Sequence, residues 1–308
     1  LSALSWILIF EQALNGLQFG LMLFLLAAGL TLVFGIMDMI NLAHGSLYML
    51  GAFLASTFVA LTGSFTAGVL LAIPATAALA MILEVSVLRT LYQRDHLSQV
   101  LATFALILIL NEVVRLVWGS DAALPMPAAL SGPVELFPGL RYPAYRLVII
   151  AVGLFIALLL YVLVTKTRVG MLVRAGASNR EMALAMGVNI KLLFTAVFGV
   201  GAALCAVAGA MLAPLFAVQV GMGENILILA FVVIVIGGTG SIRGALVGAV
   251  LVGVVDTIGR AFLPLAFGLV FQPRVASAAG PAIASVSIYL LMAVILYFKP
   301  KGLFPARG

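Results

Sequence analysis

The sequence predicts an all-α fold: a polytopic bundle of about 8–10 membrane-spanning helices, with two glycine-interrupted segments and one short helix in a loop between spans. Three observations predict it. Apolar residues make up 65% of the 308 positions and charged residues only 8%, whereas a soluble domain carries about a quarter. Apolar runs of about 20 residues recur along the whole length, each long enough to cross a bilayer as a helix. Runs such as "FALILIL" lack the alternation of apolar and polar positions that a transmembrane β-barrel needs.

Taken in order, nine apolar segments stand out, at about 12–35, 42–62, 66–88, 97–118, 146–165, 191–217, 225–238, 244–263 and 283–298. They form a single domain over 1–308, with one polar loop at 166–191 and another at 119–145. The 119–145 stretch holds five prolines and no basic residue before Arg141. It reads as an irregular loop, because proline cannot donate a backbone hydrogen bond. It is either a docking surface for an external partner or a connector. The sixteen basic residues sort by side. Arg89, Arg94, Lys166, Arg168, Arg174, Arg180, Lys191, Arg243, Lys299, Lys301 and Arg307 fall on one side. Arg115, Arg141, Arg146, Arg260 and Arg274 fall on or near the other. Lys and Arg collect on the cytoplasmic side, so the first set, with the C-terminus, is expected there. The formal charge of +6 follows from the same bias and needs no nucleic-acid partner.

If every segment spans, the N-terminus lies outside. Two places read as broken helices: "GIMDMINLAHG" (35–45) and "GGTGSIRG" (237–244), the second after a run too short to span comfortably. A half-crossing at either would change the span count and flip the N-terminus. Interrupted segments in corresponding places of two halves point to a transport route, which makes Gly237 and Gly238 candidates to line it. Gly244 and Gly248 form a GxxxG that suits helix packing. "GGTGS" lacks the spacing and the lysine of a phosphate loop.

Ionisable groups at membrane depth need a partner or a task. Glu112 with Arg115 and Asp256 with Arg260 are spaced to pair along a helix, and Glu84 can reach Arg89 or water. Asp38, Asn41 and His44 recur every three residues. On a helix they would share one stripe, which fits either the lining of a water-filled pathway or a hydrated helix end. One His and one Asp make a poor metal set, no serine is paired with this His by a nucleophile motif, and no metal site is expected. The lone Cys205 reads as a small packing residue.

In "SNREMALAMG" (178–187), Ser178 and Glu181 have the spacing of a capping box, and Gly187 suits the left-handed residue after a helix. The stretch reads as a helix over 179–186, with Ala183 and Gly187 leaving one face nearly bare for another surface to approach. This loop resembles the cytoplasmic motif E-A-A-x-x-x-G of permease subunits in ATP-binding-cassette importers. Glu181, Ala183 and Gly187 match it, and Met182 departs from it.

Three longer stretches, "GLTLVFGIMDMINLAHGSLYMLGAF" (29–53), "GMLVRAGASNREMALAMGVN" (170–189) and "VIGGTGSIRGALVGA" (235–249), are similar in order and separation to the LivH type of branched-chain amino acid permease. The resemblance implies a bacterial inner-membrane importer. Its partners would be a second permease of LivM type, two ATPases of LivG and LivF type and a periplasmic binding protein. The ATPases would dock on Ser178, Arg180, Glu181, Ala183 and Gly187. ATP and magnesium would sit on those partners, with no cofactor and no catalytic residue on this chain. The cargo implied is Leu, Ile or Val. Relatives of the same architecture carry urea or short amides, and a self-contained channel or ion-coupled carrier is the alternative from another class.

Overall fold

The computed structural model describes residues 2–304. Arg307 and the chain's final residue, both expected on the cytoplasmic side, lie outside the described residues. Among those described, eight helices are long and apolar enough to cross a membrane, and a ninth apolar helix is shorter. The chain runs α1 (Ser2–Met37), α2 (His44–Thr62), α3 (Phe65–Leu83) and a π-helical turn (Glu84–Leu88) that passes into α4 (Arg89–Leu91). It continues through α5 (His96–Trp118), α6 (Ala144–Lys166), α7 (Arg168–Ser178), α8 (Arg180–Ala185) and α9 (Ile190–Leu212). It closes with α10 (Met222–Gly237), α11 (Ile242–Phe267) and α12 (Pro273–Phe298). The nine apolar segments of the sequence are all helical here. The α12 helix starts ten residues before the expected 283, because Pro273 occupies its first turn, where no N–H is required.

α1 is the central pillar. Leu21, Leu23, Leu25, Leu26, Ala27 and Ala28 are all fully buried, so this helix is apolar all round, as a buried helix must be. Around it pack α9, α11, α6 and α10. Small residues let the backbones close in: a Cβ on Gly16 would lie 2.7 Å from Val254 Cα, and one on Gly20 would lie 2.7 Å from Ala249 O. The GxxxG of α11 does the work expected of it. Gly244 packs on the Gly237 backbone and Gly248 on Val233 O.

The contacts define two faces. On one, Tyr142 Oη donates to Asn15 Oδ1 at 2.9 Å, Arg146 bonds the same oxygen, Trp118 Nε1 donates to Thr57 Oγ1 at 2.7 Å and Ser56 Oγ to the Ala123 carbonyl at 2.7 Å. The N-terminal end of α1 is therefore on the side of the 119–145 connection, as expected if every segment crosses. That connection is not the irregular loop its prolines suggest. Strands β1 (Asp121–Ala122) and β4 (Val218–Gln219) pair antiparallel, as do β2 (Pro133–Phe137) and β3 (Leu140–Pro143). Two of the prolines sit at strand ends, where no ladder bond is lost. Pro138 and Gly139, the latter at φ 91°, form the turn between β2 and β3. This is the hairpin face. The opposite, basic face gathers the α4–α5 link, α7 and α8, the α10–α11 turn and the C-terminal tail. It carries every basic residue expected there that the structure describes.

Candidate functional site

The first break begins where α1 ends. Asp38 has φ 50°, in the left-handed region, and its N–H still bonds the Phe34 carbonyl at 3.0 Å. The chain then runs without helix to a turn at Leu42–Ala43, and α2 starts at His44. The expected stripe of Asp38, Asn41 and His44 does not form, because this stretch is unwound. The left-handed Asp38 interrupts the helical ladder, so three-residue spacing no longer means one face. Asp38 is exposed, while Asn41 and His44 are fully buried.

Asn41 Oδ1 accepts from the Ala43 N–H at 3.0 Å, closing a local turn. His44 lies against Gly29 and Gly201, with Nε2 3.1 Å from Cys205 Sγ. Asn41 Nδ2, His44 Nδ1 and the hydroxyl of buried Thr31 have no hydrogen-bond partner in the protein. Such unpaired groups are costly when buried. Cys205 was not legible as a neighbour of His44, since it stands 161 positions away and nothing local marks it.

Tyr48, one turn beyond His44 on α2, helps line a cavity of about 290 Å³ with Phe19, Leu212, Phe216, Met222 and Asn225. It opens beside β4, toward the hairpin face. The lining is largely apolar with a few polar groups, the make-up of a small-molecule site. Where α2 starts, Gly45 and Gly223 of α10 meet backbone to backbone, so a Cβ on either would collide with the other's carbonyl.

The second break is built differently. Gly238 (φ 104°) and Gly240 (φ 76°) make a tight turn that residues with side chains rarely adopt. Ser241 Oγ accepts from the Gly244 N–H at 3.1 Å and caps α11. The C-terminal tail crosses the end of α10: Leu303 N–H bonds the Ile236 carbonyl and Phe304 N–H the Gly237 carbonyl, both at 2.9 Å. Gly237 and Gly238 therefore lie under the tail. The two breaks are neighbours, since a Cβ on Gly35 would lie 3.3 Å from Gly240 Cα.

On the basic face the 166–191 loop holds two helices, not one. The Asn179 N–H still bonds the Ala175 carbonyl, which makes Ser178 the last residue of α7 instead of a cap. Asn179 is extended (φ −151°, ψ 101°), and its Oδ1 accepts from the Met182 N–H at 2.9 Å. Asparagine caps as well as serine, so the capping box of Ser178 and Glu181 is replaced by an Asn179 cap. Gly187 (φ 82°) ends α8 as expected: its N–H bonds the Leu184 carbonyl, and the Val188 N–H bonds the Ala183 carbonyl, the pattern of a Schellman motif.

Only half of the bare face is turned inward, since Gly187 stays exposed with open space around it. Ala183 is buried, and what α8 presents is Glu181 with Met182, Leu184 and Met186, the last 79% exposed. Arg180 also turns inward. Its guanidinium donates to the Ile36 and Met37 carbonyls at 3.2 and 3.1 Å and stacks 4.9 Å over the Phe194 ring.

Phe194 in turn meets Tyr92 edge-on at 5.4 Å, and Tyr92 Oη donates to Glu84 Oε1 at 2.7 Å. Burial, then the bond to Glu84, pushes the Tyr92 phenol above its ordinary range, so it stays a donor. Glu84, fully buried in the π-turn, also takes Arg89 at 3.0 Å and Thr195 at 2.6 Å. The pairs Glu112–Arg115 and Asp256–Arg260 form at 3.1 and 2.8 Å. Among the described residues no cluster of three or more His, Cys, Asp or Glu could hold a metal.

The family described as "Branched-chain amino acid transport system / permease component" matches residues 12–298. The permease BraD of Pseudomonas aeruginosa is 29% identical over 310 residues, covering 95% of this chain and 94% of the relative. LivH of Escherichia coli K12 is 31% identical over 267 residues, covering 82% and 86%. The probable LivH of Methanocaldococcus jannaschii is 29% identical over 260 residues, covering 81% of each. All three are named as branched-chain amino acid transport permease proteins. No solved structure matches the chain.

Proposed function

The chain belongs to the branched-chain amino acid transport permease family, and from that premise we propose that it forms half of the route by which an ATP-driven importer carries Leu, Ile, Val or a similar small amino acid. The observation that carries this reading is the first break. Unpaired polar groups of Asn41 and His44 are buried at the start of α2, and Tyr48, one turn beyond His44, lines a largely apolar cavity. An amphiphilic cargo with an apolar side chain and charged ends needs both environments. Excess Lys and Arg orient the basic face to the cytoplasm of the inner membrane, with the tail on that side and the hairpin face outward. A periplasmic binding protein delivers cargo to the hairpin face. A second permease of LivM type completes the route.

Two ATPases of LivG and LivF type, carrying ATP and magnesium, bind the basic face at α8. This chain breaks no bond and holds no cofactor. Its exposed Met182, Leu184 and Met186 supply the apolar contact, with Glu181 beside them, while Ser178, Ala183 and Gly187 shape the helix that presents them. The test is uptake of labelled leucine, isoleucine, valine and urea into vesicles holding this chain with its partners. ATP-dependent uptake of the three amino acids is expected. Uptake by this chain alone, without ATP, would replace the reading with a carrier or channel, and preference for urea would replace the cargo.

A further inference from the structure

We infer that Arg180 is a positioning residue that ties α8 to the break between α1 and α2, so that a displacement of α8 reaches Asn41 and His44. This rests on the reading of α8 as the element that the ATPases move. Three contacts support it. A helix leaves its last carbonyls without intrahelical partners, and a cation is favoured there by the helix dipole. At the end of α1 those carbonyls belong to Ile36 and Met37, and the Arg180 guanidinium bonds both. The same guanidinium rests on Phe194 of α9, which leads through Tyr92 to Glu84 in the π-turn. Arg180 thus joins α8 to α1 and α9 directly, and through Phe194 and Tyr92 to the end of α3.

The geometry on either side of Arg180 is stiff. The Asn179 cap and the Gly187 turn fix both ends of α8, and Asn189 caps α9 through the Leu192 N–H at 3.1 Å. Beyond Met37 only Asp38, Met39 and Ile40 separate the bonded carbonyls from Asn41. Met39 is fully buried and Met37 nearly so. A shift of the α1 end is therefore passed into the unwound stretch instead of being lost to solvent.

Arg180→Ala and Arg180→Gln in the assembled complex are expected to cut the cargo carried per ATP hydrolysed by about tenfold, within the usual range of a coupling between sites. Arg180→Lys, which keeps a cation within reach of the carbonyls, is expected to recover part of it. Cys205, the chain's lone cysteine and a neighbour of His44, supplies a second readout. Its modification by a small methanethiosulfonate, followed by mass spectrometry of its peptide, should quicken during ATP turnover in the unaltered complex and not in Arg180→Ala. Equal cargo per ATP, with an equal response of Cys205, would overturn the inference. Met186→Asp separates the two layers: if it leaves ATPase attachment and cargo per ATP intact, the docking reading itself fails. Should Arg180→Ala not assemble, Phe194→Leu decides, since it removes the stacked ring and leaves the guanidinium. A reduced ratio supports the tie, and an unchanged ratio overturns it.

Discussion

The two breaks are neighbours on the basic face, yet they solve the same chemical problem in opposite ways. Each interrupts a helical stretch and so frees backbone groups that need new partners. At the second break the tail takes two of the freed carbonyls, Ser241 takes an N–H, and glycines absorb the turn. At the first break the freed carbonyls go to the long side chain of Arg180, a non-glycine residue holds the left-handed position, and buried polar atoms of Asn41 and His44 stay unpaired. A junction satisfied by backbone is built to keep its shape. A junction held by one flexible side chain, with polar capacity to spare, is built to change it. On the proposed function, the contrast favours the first break for the route and a structural role for Gly237 and Gly238.

That contrast can be broken most directly at the first site. His44→Leu and Asn41→Leu should each lower uptake by about tenfold or more, the scale of one lost polar contact. Thermal unfolding of the purified complex should move little for His44→Leu, whose Nδ1 is unpaired, but should come earlier for Asn41→Leu, which also takes the acceptor from the buried Ala43 N–H, a loss of about 1–3 kcal/mol. Unaltered uptake would end the assignment. The second site should respond the other way. Gly244→Val forces a branched side chain into the Gly237 backbone, and overpacking of this kind costs about 1–3 kcal/mol. Less folded chain is expected, with normal uptake per folded molecule; a folded but inactive variant would show that the second break carries function too. The smallest effect sharpens the picture: Thr31→Val keeps the shape and deletes the unpaired hydroxyl, and should raise stability by at most about 1 kcal/mol, read as a higher unfolding midpoint.

Much of this was legible in the sequence. Hydropathy located all nine apolar helices, basic-residue bias sorted the faces, and glycine runs marked both breaks. Spacing foretold the pairs of Glu112 and Asp256, as well as the left-handed Gly187, and for Glu84 the structure chose Arg89, one of the two partners left open. The site itself was less legible, for three physical reasons. Periodicity assumes a helix, so the unwound stretch after Asp38 undid the stripe that its spacing implied. Serine and asparagine cap equally well, so "SN" could not say which residue ended α7 and which began α8. Long-range proximity leaves no local mark: nothing near Cys205 indicates His44, and nothing near Arg180 indicates Ile36 and Met37.

The tail that seals the second break also sets an order of assembly. Chains fold from the N-terminus as they are made, and Leu303 and Phe304 leave the ribosome only after α10, α11 and α12. Until they arrive, the end of α10 has open carbonyls, although α10, α11 and α12 are already synthesised. The seal on Gly237 is thus a late quality mark: a prematurely terminated chain can insert every span and still lack it. A label fused directly after Phe304 would burden this step before it burdened transport.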